Sequence, residues 1–264
     1  MEQCFSIDNI FNDQSQRSFL EYSSIKVKNI VDENICKEAC EYIYTNEEKI
    51  INLYEKDKRG LTVDVVENKK YIKYFEYPLK ENHTLFGKFV TSDIFKIAQH
   101  LIGTSVYLKS VEIHSRCAKG TPIPPHQDNA YYGLKNARAL TFYIPINNEF
   151  AGMGGLKYYK NPYTYELEHK PSDASGFSLA VANPNTIPYE TFDPDYSPGD
   201  CTIHHARSVH FADEVPYLAE RSLVVRLQLH ALNETMKEGH LEWYANMIKR
   251  NRERVSKFQD IKNK

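Results

Sequence analysis

Two potential metal-binding side chains stand one residue apart in the segment 124–129, which reads PPHQDN. On an extended backbone alternate side chains point to the same side, so the imidazole of His126 and the carboxylate of Asp128 converge. One further histidine would complete a 2-His-1-carboxylate face, which leaves metal positions open and suits non-haem Fe(II) oxygenases. Because a His-x-Asp pair arises easily by chance among ten histidines, the rest of the chain must supply supporting evidence.

Three histidines follow the turn-forming sequence Pro198-Gly199-Asp200, and each is a candidate for the third ligand. The turn precedes a short, partly apolar segment that favours an extended conformation. His210 is preferred because it lies near the end of this segment and eleven residues before Arg221. His204 and His205 compete for the position, and His205 is interpreted as a histidine that either supports the site without binding the metal or packs in the core.

Arg221 opens the run 221–230, whose β-branched and apolar residues predict a core strand. A guanidinium at the start of such a strand needs an anion, since an unpaired buried charge is costly. Its planar fork matches a carboxylate through two hydrogen bonds. Side chains alternate along a strand, so if Arg221 points into the fold, Arg226 points away and is structural or at the surface.

The interval between the two groups of histidines is rich in predicted strands. Segments 138–146, 155–160 and 176–182 have strand composition and are separated by Gly, Pro, Asn and Asp. Many short strands with turn signals between them are typical of an all-β sandwich or barrel.

In order and spacing these motifs resemble the phytanoyl-CoA dioxygenase family of Fe(II)/2-oxoglutarate oxygenases. The resemblance rests on His126-Gln127-Asp128, on Gly199-Asp200 with His205 and His210, and on Arg221, and it covers about 105–231. It implies a mainly β fold, a double-stranded β-helix (a cupin-like jelly roll), flanked here by N-terminal and C-terminal helices. It also implies 2-oxoglutarate and O2 as cosubstrates.

The same resemblance implies roles for individual residues. His126, Asp128 and His210 would bind Fe(II), and Arg221 would hold the distal carboxylate of 2-oxoglutarate. Thr141 could donate its hydroxyl to that cosubstrate, although β propensity explains a strand threonine equally well. The sequence departs from the family at 154–156 (GGL), 160–162 (KNP) and 211–214 (FADE). These departures concern substrate and cosubstrate contacts rather than the metal ligands.

Candidates for substrate contacts lie near these motifs. They are His114, Lys119, Tyr131, Tyr132, Arg138 and Arg207. Among nineteen tyrosines, a structural role for Tyr131 and Tyr132 is equally credible. Glu112, His114 and Arg116 alternate on one face of the predicted strand 106–116, which indicates either a polar barrel lumen or a solvated outer face.

Together these features predict an oxygenase that converts 2-oxoglutarate to succinate and CO2 while hydroxylating an unactivated C–H bond of a small polar metabolite. Asp128 fills the position that halogenating relatives vacate, which favours hydroxylation; desaturation or another radical outcome stays open. Two alternatives are a cupin-like Fe or Zn metalloenzyme without 2-oxoglutarate and a non-catalytic jelly-roll binding module.

Composition sets the remaining expectations. The 264 residues, 41% of them hydrophobic, predict a single domain spanning 1–264 with its jelly-roll core at about 105–231. A net charge of −2 gives no indication of a nucleic-acid or membrane partner. No segment resembles a transmembrane span or signal peptide, and the five cysteines lack a disulfide spacing. We therefore expect a cytoplasmic protein with reduced thiols, whose oligomeric state the sequence does not reveal.

Outside the core, helices are predicted at 33–55 after a capping Asp32, from a cap at Ser92 or Asp93 to Gly103, and at roughly 234–257. A first strand is predicted at 24–30, and segments 61–66 and 71–77 form a hairpin. The N-terminal helices are expected to buttress one sheet of the jelly roll.

Overall fold

The computed structural model describes residues 3–57, 60–118, 121–147, 155–160, 164–174, 176–187, 190–215 and 221–262. The strands are β1 (Cys4–Ser6), β2 (Ser24–Lys28), β3 (Leu61–Val66), β4 (Lys69–Phe75), β5 (Val106–Arg116), β6 (Ile123–Gln127), β7 (Ala139–Pro145), β8 (Lys157–Tyr159), β9 (His169–Pro171), β10 (Leu179–Val181), β11 (Thr191–Phe192), β12 (Cys201–His205), β13 (Val209–Ala212) and β14 (Ser222–Ala231). The helices are α1 (Asp13–Tyr22), α2 (Glu33–Tyr54), α3 (Pro78–Glu81), α4 (His83–Gly87), α5 (Ser92–Ile102), α6 (Asn129–Tyr132) and α7 (His240–Lys262).

Two facing sheets make up the core. The larger sheet has the order β1-β2-β12-β7-β14-β5-β4-β3, and the smaller has the order β11-β8-β13-β6. Neighbouring strands are antiparallel except for the parallel pair β1 and β2. A buried apolar cluster that includes Ile123, Tyr143, Tyr158 and Val224 joins the inner faces of the two sheets. This is the expected jelly roll, mainly β with flanking helices.

The outer face of the larger sheet packs against helices. One large buried cluster contains Ile43 and Ile50 of α2, Ile97 of α5, and Val225 and Leu227 of β14. The apolar stripe of α2 thus covers the sheet, because a helix with one apolar face must bury it against another layer. None of the helices in the described part of the chain is long and apolar enough to cross a membrane, and all five cysteines are free thiols.

Most predicted elements are confirmed, with shifts at their ends. The side chain of Asp32 caps α2 by accepting a hydrogen bond from the Asn34 amide at 2.8 Å. Helix α5 ends at Gly103 as expected, but its N-cap is Thr91. The last helix begins at residue 240 rather than 234, because the preceding segment pairs with the chain near Leu134 and Lys135 instead. Strand β1 and helix α1 were not predicted.

The Pro198-Gly199-Asp200 turn anchors β12 to the N-terminal part of the sheet. Gly199 has φ of 88°, and a Cβ there would lie 2.1 Å from the carbonyl oxygen of Val31. The Gly199 carbonyl accepts hydrogen bonds from the amides of Ile30 and Val31. Asp200 forms an ion pair with Lys26 at 2.7 Å. Only glycine fits this close approach with a left-handed backbone, and the turn fixes the register of the strand that follows.

Candidate metal site

Three side chains that could bind a metal converge inside the jelly roll. His126 lies on β6, Asp128 directly follows that strand, and His210 lies opposite His126 in the β6–β13 ladder. Asp128 Oδ1 is 3.8 Å from His126 Nε2 and 3.7 Å from His210 Nε2. One potential ligand atom from each residue lies within 4.8 Å of the others. The three residues are 3–4% exposed, so bulk water is largely excluded.

Both histidine rings are oriented by backbone carbonyls. His126 Nδ1 donates to the carbonyl of Pro124 at 2.8 Å, and His210 Nδ1 donates to that of Ser208 at 3.0 Å. A carbonyl only accepts, so the proton resides on Nδ1 and the Nε2 lone pair faces Asp128. Burial lowers the pKa of His126 well below its usual range and that of His210 to about 3. Both rings are therefore neutral, as metal ligation requires.

The second oxygen of Asp128 lies at the centre of a buried hydrogen-bond network. Asp128 Oδ2 accepts from Arg226 Nη2 at 2.6 Å, Thr141 Oγ1 at 2.7 Å, Tyr132 OH at 3.1 Å and His204 Nε2 at 3.2 Å. Burial alone would raise the pKa of Asp128, but Arg226 and the His204 hydrogen bond outweigh it and lower that pKa well below its usual range. The carboxylate is thus ionised, with Oδ1 directed at the two histidines.

The expected orientation of β14 is wrong. Arg226 points to the inside and contacts Asp128, whereas Arg221 points to the helix side. There Arg221 binds both oxygens of Glu47 on α2, at 2.8 and 2.6 Å. The guanidinium therefore has a bidentate carboxylate partner, but that partner belongs to the chain. This placement takes Arg221 away from the position in which it was expected to hold 2-oxoglutarate.

A similar reversal affects the neighbouring histidines of β12. His204, not His205, contacts Asp128, and it pairs in register with Thr141 on β7. The His205 ring packs 6.4 Å from that of Phe19, on the opposite side of the strand. Thr141 faces the site as expected, but its hydroxyl donates to Asp128. Side chains alternate along β12, so only one of the two adjacent histidines can lie beside Thr141. This alternation was the signal that could have identified His204.

The proposed substrate contacts are only partly brought together. The ring of Tyr131 lies 5.5 Å from that of His126, while the hydroxyl of Tyr132 is engaged with Asp128. Arg138 does not face the triad, because it forms an ion pair with Glu234 at 3.1 Å. Arg207 is half-buried, and its Nη1 donates a hydrogen bond to the carbonyl of Thr164 at 3.5 Å. Lys119 lies outside the described residues.

The inner face of β5 is a polar lumen wall rather than a solvated outer face. Glu112 accepts from Arg226 at 3.0 Å, and His114 lies 3.0 Å from Glu112. A cavity beside Phe177 is lined by charged, polar and apolar side chains, among them Asp64, Lys73, His114, Arg116 and Tyr143. The Phe177 ring lies 5.9 Å from that of His126, and Lys73 Nζ lies 5.7 Å from Phe177.

Helix α7 holds the segment that carries Phe177. The side-chain amide of Asn251 donates to the carbonyl of Ser172 at 2.8 Å, and Arg254 binds Asp173 at 2.9 Å. Asn251 is 7% exposed, so its hydrogen bonds are shielded from water. Through these contacts the C-terminal helix fixes one wall of the site.

No protein-family model matches the sequence, and no curated protein sequence matches it. Solved structures, in contrast, share its fold. The non-haem α-ketoglutarate-dependent carbocyclase SnoK from nogalamycin biosynthesis has a TM-score of 0.66 at 17% identity, covering 89% of this chain and 91% of its own. The epimerase SnoN, solved with Fe³⁺, α-ketoglutarate and nogalamycin RO, has a TM-score of 0.64 at 16% identity over 85% of each chain. EctD from S. alaskensis with bound Fe has a TM-score of 0.66 at 11% identity, covering 86% of this chain and 79% of its own. The chain thus has the jelly-roll fold of these iron enzymes.

Proposed function

We propose that this protein is a non-haem Fe(II)/2-oxoglutarate-dependent oxygenase that hydroxylates an unactivated C–H bond of a small polar metabolite, with release of succinate and CO2. One observation carries the proposal: inside the jelly roll, Asp128 Oδ1 lies 3.8 Å from His126 Nε2 and 3.7 Å from His210 Nε2. The fold is shared with enzymes whose names include iron and α-ketoglutarate.

The donor set fits Fe(II). Two neutral imidazoles and one carboxylate form a three-ligand face, which leaves positions for small molecules on the opposite side of the ion. Bound iron would supply the oxygen chemistry, while the chain supplies position and electrostatics. His126, Asp128 and His210 would hold the ion; each histidine is oriented by the hydrogen bond that its Nδ1 donates, and Asp128 by the one that its Oδ2 accepts.

We propose further that the distal carboxylate of 2-oxoglutarate is bound by Lys73 and Arg116, which line the cavity beside Phe177. These residues are 6% and 8% exposed, so charge interactions with them are weakly screened. Asp64 neutralises one of the two cations through its ion pair with Lys73. Arg116 donates a hydrogen bond to the carbonyl of Asp213. Arg221 has its charge balanced by Glu47.

The test is turnover of 2-oxoglutarate by the purified protein with Fe(II) and O2, followed as succinate and CO2 across a panel of small polar metabolites. We expect substrate-dependent succinate, and none from Asp128→Ala. Product masses would distinguish hydroxylation from other outcomes. If the folded protein neither bound 2-oxoglutarate in a calorimetric titration nor turned it over, the proposal would be wrong.

The engagement of Arg221 with Glu47 favours a second candidate function. A cupin-like metalloenzyme that does not use 2-oxoglutarate needs no cation for the distal carboxylate, and a His2Asp site also suits Zn(II). Elemental analysis of the protein as isolated, together with the same titration, separates the two. Bound zinc without 2-oxoglutarate binding would favour this alternative.

A further inference from the structure

We infer that Arg226 is a positioning residue for the metal: it occupies Oδ2 of Asp128 so that this carboxylate offers only Oδ1 to the ion. The inference rests on the proposed metal site but not on the identity of the cosubstrate or substrate. Sequence alternation gave Arg226 no role in the site, and its contacts indicate one.

Arg226 is fixed between two buried carboxylates. Its Nη2 lies 2.6 Å from Asp128 Oδ2, and its Nη1 lies 3.0 Å from Glu112 Oε2. The side chains of Asp128 and Glu112 are 4% and 5% exposed, and that of Arg226 is 13% exposed. A planar guanidinium held at two nitrogens cannot rotate about one contact without breaking the other. Arg226 is therefore a rigid donor rather than a mobile charge.

Glu112 is fixed in turn by other side chains. Gln228 donates to Glu112 Oε1 at 2.6 Å, and Ser110 donates to the same oxygen at 2.8 Å. His114 lies 3.0 Å from Oε2. Because Arg226 and Glu112 each have side-chain partners on both sides, the position of Arg226 is set by β5 and β14 together.

The two oxygens of Asp128 therefore have different surroundings. Oδ2 has four donors within 3.2 Å, more than the roughly two lone pairs of a carboxylate oxygen can satisfy. Oδ1 faces the Nε2 atoms of His126 and His210. For Asp128 to bind an ion through both oxygens, the strongest of the donors, Arg226, would have to move. The network thus enforces binding through one oxygen and leaves one more position on the metal for small molecules.

Cobalt(II) binding to the metal-free protein tests the inference. Arg226→Gln alone leaves Glu112 unpaired in the interior, so the informative variant is Arg226→Gln with Glu112→Gln, which removes both charges. Arg138→Gln is the matched control, since it removes an arginine whose carboxylate partner lies away from the triad. Circular dichroism and thermal unfolding establish that each variant is folded.

We expect the double variant to bind Co(II) with a dissociation constant raised by roughly 10–100-fold, the range for loss of contacts that orient metal ligands. Its visible d–d bands should also shift, since the second carboxylate oxygen would replace a small-molecule ligand of the ion. The control should match the unchanged protein in both measurements. A folded double variant with unaltered affinity and spectrum would overturn the positioning role of Arg226 but leave the proposed metal site standing. Failure of the unchanged protein to bind Co(II) would instead overturn the proposed metal site.

Discussion

The two carboxylate oxygens of Asp128 have different partners. Oδ1 is directed at the histidines, and Oδ2 accepts hydrogen bonds from four donors. Thr141 is the neutral donor nearest to Oδ2, at 2.7 Å. We expect Thr141→Val to raise the dissociation constant for Fe(II) or Co(II) by about 10-fold, because loss of a contact to a ligand loosens its orientation. Thr141→Ser keeps the hydroxyl and should bind nearly as well as the unchanged protein. Metal titration of the two variants checks this, and equal weakening in both would assign the effect to packing.

Arg221 is expected to stabilise the fold rather than bind cosubstrate. Its ion pair with Glu47 is about nine-tenths buried on both sides, so Arg221→Gln should lower the free energy of unfolding by about 3 kcal/mol. The double variant Arg221→Gln/Glu47→Gln should recover most of this loss, since no unpaired charge remains. Urea denaturation measures both changes.

The same double variant also locates the cosubstrate. Its affinity for 2-oxoglutarate in the metal-loaded, oxygen-free protein should be unchanged, whereas Arg116→Gln should weaken that affinity. Loss of affinity in the folded Arg221 double variant, with none in the Arg116 variant, would return the cosubstrate role to Arg221.

Residue types in the site could be predicted from the sequence better than their directions. The candidate triad follows from ligand chemistry and spacing, and the structure brings its three members together. Two assignments to the site were wrong: Arg226 faces it instead of Arg221, and His204 instead of His205. Both errors have one physical cause. Strand side chains alternate, so an error in phase moves a residue to the other face. The phase of β14 follows its apolar residues: Leu223, Val225, Leu227 and Leu229 all join the cluster packed against the helices, and Arg221 shares their face.

At the level of elements, the turn before β12 positions the strand that carries His204. Gly199→Ala combines left-handed backbone strain with the 2.1 Å approach to the Val31 carbonyl, so it should cost at least about 2 kcal/mol of stability. Gly103 has φ of 75°, but a Cβ added there would meet no other atom within 4 Å, so Gly103→Ala should cost only about 1 kcal/mol. Chemical denaturation compares the two. Equal costs would contradict the importance of the close approach.

Helix α7 should control access to the metal through Asn251. Asn251→Ala removes the hydrogen bonds that hold residues 172–174, and Phe177 beside His126 then loses its support. We expect faster removal of bound metal by a chelator, with little change in equilibrium affinity because no ligand is altered. Glu253→Ala, an exposed substitution on the same helix, is the control. An unchanged removal rate would show that Phe177 is held by other contacts.

For the whole molecule, buried histidines make stability depend on pH. Burial lowers the pKa of His205 to about 3 and that of His230 to about 4, against about 6.5 in the unfolded chain. Below pH 6.5 the unfolded chain binds more protons than the folded protein. The free energy of unfolding therefore decreases as the pH is lowered, by up to about 1.4 kcal/mol per pH unit for each histidine. Denaturation of the metal-free protein between pH 7.5 and about pH 5 measures this slope. His205→Gln should make it shallower; an identical slope would contradict a neutral buried His205.

The architecture could be predicted further than the site. The strand-rich interval predicted a sandwich or barrel, the family resemblance implied a jelly roll, and the two sheets confirm it. The N-terminal additions were less predictable, since β1 has only three residues and lies parallel to β2 at the sheet edge. Such short elements form through tertiary pairing, because local propensity alone cannot stabilise them.

The position of α7 in the chain has a consequence for synthesis. The ribosome completes β14, and with it both sheets and all three candidate ligands, before residue 240 is made. The helix that supports Phe177 emerges after them. We therefore expect a nascent protein to present a more open site to metal than the finished one, with docking of the C-terminal helix as the step that closes it. Loading with a metal ion would then be easiest before this helix docks.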